Sequence, residues 1–198
     1  MDEDDIRRRA ESKITYIGNV MRPDFSDLLK TLPGALRAVK YLLAVGKLKY
    51  AGKVVTPDFS DLVKGIDAVI KAVDYLLSIN SSVKVDAGNK QLVIAELKDY
   101  LDTINDAKEQ LDIVYNNLGE GFTVDPAWFC WLGDNGIQFI KLYNKLINSS
   151  NREQLIRRLG DDTLISSIIN GINKINDRID GINVRGGLSI ERIPVMQA

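Results

Sequence analysis

"TLISSIINGINKINDRIDGIN" (163–183) sets Ile165, Ile168, Ile172, Ile175, Ile179 and Ile182 at alternating spacings of three and four. On a helix those spacings stack all six isoleucines in one heptad stripe. Such a stripe cannot stay in water, so the segment reads as a helix that something apolar must cover. Gly171 and Gly181 each weaken it by about 1 kcal/mol relative to alanine, which leaves packing rather than propensity to hold it. The cover is either the rest of the chain or a partner copy, since isoleucine at both heptad positions also favours higher-order coiled coils.

Working outward, 91–118 carries Leu97, Leu101, Ile104, Leu111 and Leu118 on one face and ends at "NNLGEG", where glycine suits a left-handed cap. Earlier in the chain "RPDFSDLLK" (22–30) returns as "TPDFSDLVK" (56–64), and 23–46 and 57–80 share 12 of 24 aligned residues. The first copy places Phe25, Leu28, Leu32, Leu36, Val39 and Leu43 on a core face, with Pro23 in its first turn and Pro33 expected to kink or divide it. The second places Phe59, Leu62, Ile66, Ile70, Val73 and Leu77 there, with Thr56 as N-cap before Pro57. Each unit holds one long helix and no third copy follows, so the repeat is duplicated scaffold rather than a solenoid.

The remaining segments complete an all-α reading. Residues 2–18 predict a short amphipathic helix through Ile6, Ala10, Ile14 and Ile17. After "VDP", a short turn at 126–132 and a helix over 136–148 are expected, separated at "GDNG" (133–136). A further helix begins near Asn151 or Asp161. "LKYAGKVV" (48–55) and "VKVDAGNK" (83–90) suit β-hairpin tips, with plain loops as the alternative. The expected architecture is an antiparallel bundle of four to five helices, a single helical domain over 1–183 with its bundle at 23–183, and an extended tail over 184–198 that is mobile or partner-bound.

Composition bounds the function. The chain has 198 residues, 45% apolar and 27% charged, with 26 basic and 27 acidic side chains, so it folds and carries no global field toward nucleic acid or anionic lipid. "MDEDDIRRRAESK" has no apolar core of a secretory signal, and no apolar run is long enough to span a bilayer. A cytoplasmic protein or a component of an assembled particle is expected. One cysteine, Cys130, excludes an internal disulfide and a zinc cluster. The absence of histidine removes the commonest general base and metal ligand, and no phosphate-binding or dinucleotide-binding glycine loop is present. No catalytic residue, cofactor or metal is expected, and the chain reads as non-enzymatic.

Three surfaces stand out. Lys30, Arg37 and Tyr41 lie opposite the apolar stripe of the first repeat, and Lys64, Lys71 and Tyr75 keep those places in the second. Asp99, Asp102, Asp106 and Glu109 form a carboxylate stripe on 91–118, read as a solvated face or a dock for a basic partner. Trp128 and Trp131 fall in "FTVDPAWFCWLGDNG" (122–136), an aromatic cluster that plugs a core corner, anchors a partner or sits at a membrane interface. Together these predict a self-associating coat, filament or scaffold subunit, viral or cellular, forming homo-oligomers or meeting other assembly proteins. In that scheme the basic–tyrosine faces meet the acidic stripe of a neighbour. A membrane-active bundle is the alternative, and nucleic-acid packaging a weaker one.

Overall fold

The computed structural model describes residues 14–17, 20–23, 26–80, 82–125 and 130–193. The described chain is mostly helical, with short strands in two small sheets. It divides into two compact units, Met1–Leu42 and Leu43–Ala198.

The first unit holds an antiparallel pair, β1 (Ile14–Ile17) and β2 (Val20–Pro23), in register Ile14↔Pro23 to Ile17↔Val20. The helix expected over 2–18 therefore does not include 14–17, and the rest of that span lies outside the described residues. The run Ile-Thr-Tyr-Ile is β-branched and aromatic throughout, which favours a pleated strand over a helix with so thin an apolar stripe. Helix α1 (Ser26–Lys47) follows, its residues to Leu42 belonging to this unit and its last turn to the second. Pro33 sits inside α1 and does not divide it, although a proline in a helix interior forfeits one backbone bond.

The second unit opens with the hairpin β3 (Lys49–Ala51) and β4 (Val54–Thr56), as "LKYAGKVV" suggested, with Gly52 at φ +60° in its turn. Strand β5 (Thr123–Val124) joins β4 in parallel. The helices are α2 (Ser60–Ser78), α3 (Ala87–Gly119), α4 (Cys130–Ile147), α5 (Ser149–Leu159) and α6 (Thr163–Gly186). Thr56 pairs with Lys49 in the sheet, so it caps nothing, and α2 starts three residues after Pro57. "VKVDAGNK" forms no hairpin: Asp86 caps α3 by accepting the Gly88 and Asn89 N–H groups at 3.0 and 3.2 Å. "GDNG" lies within α4 rather than dividing it. The segment expected to begin at Asn151 or Asp161 is two helices, separated at Gly160 with φ +97°.

The core lies where α3 packs on α6 and α2 packs on α3. All six isoleucines of the 163–183 seam are buried, so the chain itself covers them. A Cβ on Gly171 would lie 2.5 Å from Ile104 Cγ2, so only glycine permits this approach of α6 to α3. From α2, Leu62, Ile66, Val69, Val73 and Leu76 are buried, a face rotated slightly from the expected one because Ile70 and Leu77 are only half-buried. The tail is not free up to Ile193: Ile190 and Ile193 are buried against the unit, which corrects the mobile tail expected over 184–198. Residues beyond Ile193 lie outside the described ones.

Candidate interaction surfaces

Every described side chain of α1 from Ser26 to Leu43 is exposed, apolar and polar alike. Leu29, Leu32, Leu36, Val39 and Leu43 follow one another at spacings of three and four, a heptad seam, and are 65%, 45%, 54%, 52% and 61% exposed. The sequence reading put Leu32, Leu36, Val39 and Leu43 in the core, and this is its largest error; the side chains of Phe25 and Leu28 lie outside the described residues. Periodicity reports that a helix is amphipathic but not what covers its apolar face. A contiguous exposed apolar stripe on a charged helix marks a binding surface.

Lys30, Arg37 and Tyr41 are exposed on the same helix, Lys30 lying 3.9 Å from Asp27 one turn earlier. On α2, Lys64, Lys71 and Tyr75 are likewise exposed, and Lys64 lines a cleft of about 350 Å³ with Lys49, Pro57 and Val63. The carboxylate stripe of α3 is split. Asp99 and Asp102 are exposed, Glu109 is half-buried, and Asp106 is engaged inside the second unit. Its Oδ2 accepts from Lys47 Nζ at 2.9 Å and from Gln110 Nε2 at 3.0 Å, while Lys47 also donates to Asp61 at 2.9 Å. Asp106 therefore fixes the last turn of α1 to α3 and is not part of a free acidic face. Trp128 lies outside the described residues; Trp131 falls within α4, its side chain outside them.

Two buried amides escaped the sequence reading. Gln110 and Asn176 are the buried polar side chains among the described residues, and each grips the backbone of another segment. Gln110 Nε2 donates to the Asp58 carbonyl and Gln110 Oε1 accepts the Asp58 N–H, both at 2.8 Å. This clamp holds the strand-to-helix link at 57–59 against α3. The only available signal was an amide beside core residues on an otherwise apolar helix face.

Among the described residues no group of three or more His, Cys, Asp or Glu side chains is placed to hold a metal ion, and no helix is long and apolar enough to cross a membrane. No protein-family model, curated protein or solved structure matches the chain.

Proposed function

We propose that this chain is a non-enzymatic interaction protein that self-associates into a larger assembly, a coat, filament or scaffold subunit. We further propose that its helices form an antiparallel bundle in which 57–80 is a duplicate of 23–46. The exposed seam on α1 carries the reading. If the repeats are aligned, Leu32 and Val39 correspond to Ile66 and Val73, which are buried in α2 while their counterparts are exposed. On this alignment the face is partly covered in the second copy and exposed in the first.

A second copy of the chain is the occupant that suits it. Heptad spacing is self-complementary, because knobs at these positions fit the holes of a helix with the same pattern. Full burial of a leucine or valine side chain contributes about 1.5–3 kcal/mol, so finishing the burial of five half-exposed ones offsets a substantial part of the association entropy. This isologous contact alone closes a dimer. Extension needs a second contact, supplied by the basic flank at Lys30 and Arg37, and by Lys64 and Lys71, meeting Asp99 and Asp102 of a further copy.

Sedimentation over a concentration and salt series tests both contacts. Leu36→Glu with Val39→Glu is expected to abolish the dimer, and reversal of Lys30, Arg37, Lys64 and Lys71 to Glu to remove only the larger, salt-sensitive species. A chain that stays monomeric at high concentration and low salt ends the proposal. The same seam, flanked by cations, also supports the membrane-active alternative; binding to anionic vesicles that Leu36→Glu removes, without self-association, favours that reading.

A further inference from the structure

On the second unit, the loop entering α3 and the helix α5 flank an open recess of about 290 Å³ lined by Val83, Lys84, Val85, Lys90, Gln154, Arg157 and Arg158. Four of its lining side chains are cationic and none is acidic. Among the described residues, none of the four makes an ion pair with a carboxylate, although seven ion pairs form elsewhere. The acids nearest in sequence are otherwise committed or unpaired with them. Asp86 caps α3, Asp161 accepts the Thr163 N–H, Asp162 holds Arg152, and Glu153, one turn before Arg157, makes no ion pair.

Helix-dipole compensation accounts for only half of the cluster. Arg157 and Arg158 lie in the last turn of α5, where cations are favoured. Lys90 lies in the first turn of α3, at the positive end of the dipole, where the acid is the Asp86 N-cap, committed to the Gly88 and Asn89 N–H groups. Lys84 comes from a third element, the loop. Positive side chains from three elements therefore converge on one recess. Arg158 is held in place at the recess: its Nη2 donates to the Ile79 carbonyl at 2.5 Å, and its Nε is buried with no hydrogen-bond partner among the described residues.

We propose that this recess binds a multiply charged phosphate group, a diphosphate or a phosphomonoester. Arginine supplies the planar donor fork that matches phosphate oxygens, and lysine the compact charge. Gln154 adds an amide donor, and Val83 and Val85 form an apolar wall for whatever carries the phosphate. The site is separate from the α1 seam, so it stands or falls independently of self-association.

Titration calorimetry with pyrophosphate at fixed ionic strength tests the site, with chloride and sulfate as reference anions. Binding is expected, and Lys90→Glu with Arg157→Glu should weaken it by about tenfold or more, whereas Lys141→Glu with Lys174→Glu, the same charge change at exposed positions of α4 and α6, should leave it within about twofold. Lys84→Ala, an exposed loop change, gives a smaller loss in the same direction if the helix reversals disturb folding, which circular dichroism reports. Co-sedimentation with phosphatidylcholine vesicles containing phosphatidic acid identifies a lipid-borne source: vesicle binding without pyrophosphate binding, lost on the Lys90 and Arg157 reversals, assigns the site to a phosphomonoester headgroup. Absence of binding to both probes, or binding indifferent to these substitutions, overturns the proposal.

Discussion

The side-chain amide of Asn176 holds both polar groups of the Ile193 peptide: Nδ2 donates to the Ile193 carbonyl at 3.1 Å and Oδ1 accepts the Ile193 N–H at 2.7 Å. Two turns on, Asn183 grips Ile190 in the same way, with both bonds at 2.8 Å. An amide presents a donor and an acceptor with the spacing of a peptide, so each asparagine acts as one rung of a strand ladder without a strand being present. The rungs are seven residues apart on α6, which puts them on one stripe, and the tail runs back along that stripe with Ile190 and Ile193 turned into the core.

Replacing Asn176 by alanine should therefore release the tail. It leaves the buried N–H and carbonyl of Ile193 without partners, at a cost of about 1–3 kcal/mol, and uncovers Ile193. Amide exchange at 190–193 is expected to lose its protection while α3 keeps its own. Asn183→Ala should do less, because Asn183 is only half-buried. Unchanged exchange at Ile193 in Asn176→Ala would show that apolar burial alone fastens the tail.

The two glycines of α6 should respond to alanine with opposite sign. At Gly171 the added Cβ would meet Ile104 Cγ2 at 2.5 Å, and Ile104 is fully buried and β-branched, so it yields little. Overpacking of about 1–3 kcal/mol then outweighs the helix-propensity gain of about 1 kcal/mol. At Gly181 the nearest atom is Tyr115 Cε2 at 3.6 Å, ordinary contact, and the gain remains. Thermal melts should show Gly171→Ala lowered and Gly181→Ala raised; a rise in both would mean that α6 can move off α3 freely.

These positions also show how much the sequence disclosed. The isoleucine seam and the long helix over 91–118 were legible because strict periodicity over many residues admits one local structure. Their mutual packing follows from both being apolar on one side. The interruptions were less legible. "GDNG" carries turn residues and Pro33 is a helix-breaking residue, yet each lies within a single helix, since one unfavourable local preference does not by itself end a helix. The exposed seam of α1 was illegible for a different reason: its apolar pattern is that of a buried helix, and burial depends on what lies opposite. The cationic recess was invisible because its two pairs of cations, Lys84 with Lys90 and Arg157 with Arg158, lie in distant stretches of sequence and form no motif.

Tyr100 is buried at the approach of α2 to α3, where a Cβ on Gly65 would come within 3.0 Å of its ring. Its hydroxyl has no hydrogen-bond partner among the described residues, and burial pushes the phenol far above its ordinary pKa of 10.0, so it stays neutral. Removing an unpaired buried hydroxyl recovers its desolvation cost and leaves only a small void. Tyr100→Phe should match the parent in denaturant unfolding or exceed it by up to about 1 kcal/mol. A loss larger than that would reveal a partner for the hydroxyl.

The pH dependence of stability should have two limbs with separate owners. Asp162 is held below its ordinary pKa by hydrogen bonds from Arg152 and then Ser166, despite opposing desolvation. A depressed carboxyl stabilises the fold above its unfolded value of 3.8, and that contribution is lost as pH falls through the folded value. For Lys47, burial pulls the pKa down, but hydrogen bonds to Asp61 and Asp106 outweigh it and the net shift is upward from 10.5. Its contribution is present in full below 10.5 and disappears as pH rises through the folded value. Asp162→Asn should therefore differ from the parent at neutral pH and converge with it in acid, while Lys47→Met should differ at neutral pH and converge in alkali. Both groups are partly exposed, so screening by salt should shrink both differences. Denaturant midpoints across pH separate the limbs: a Lys47→Met difference that persists unchanged above pH 10.5 would assign that residue's effect to the packing of its alkyl stem rather than to its charge.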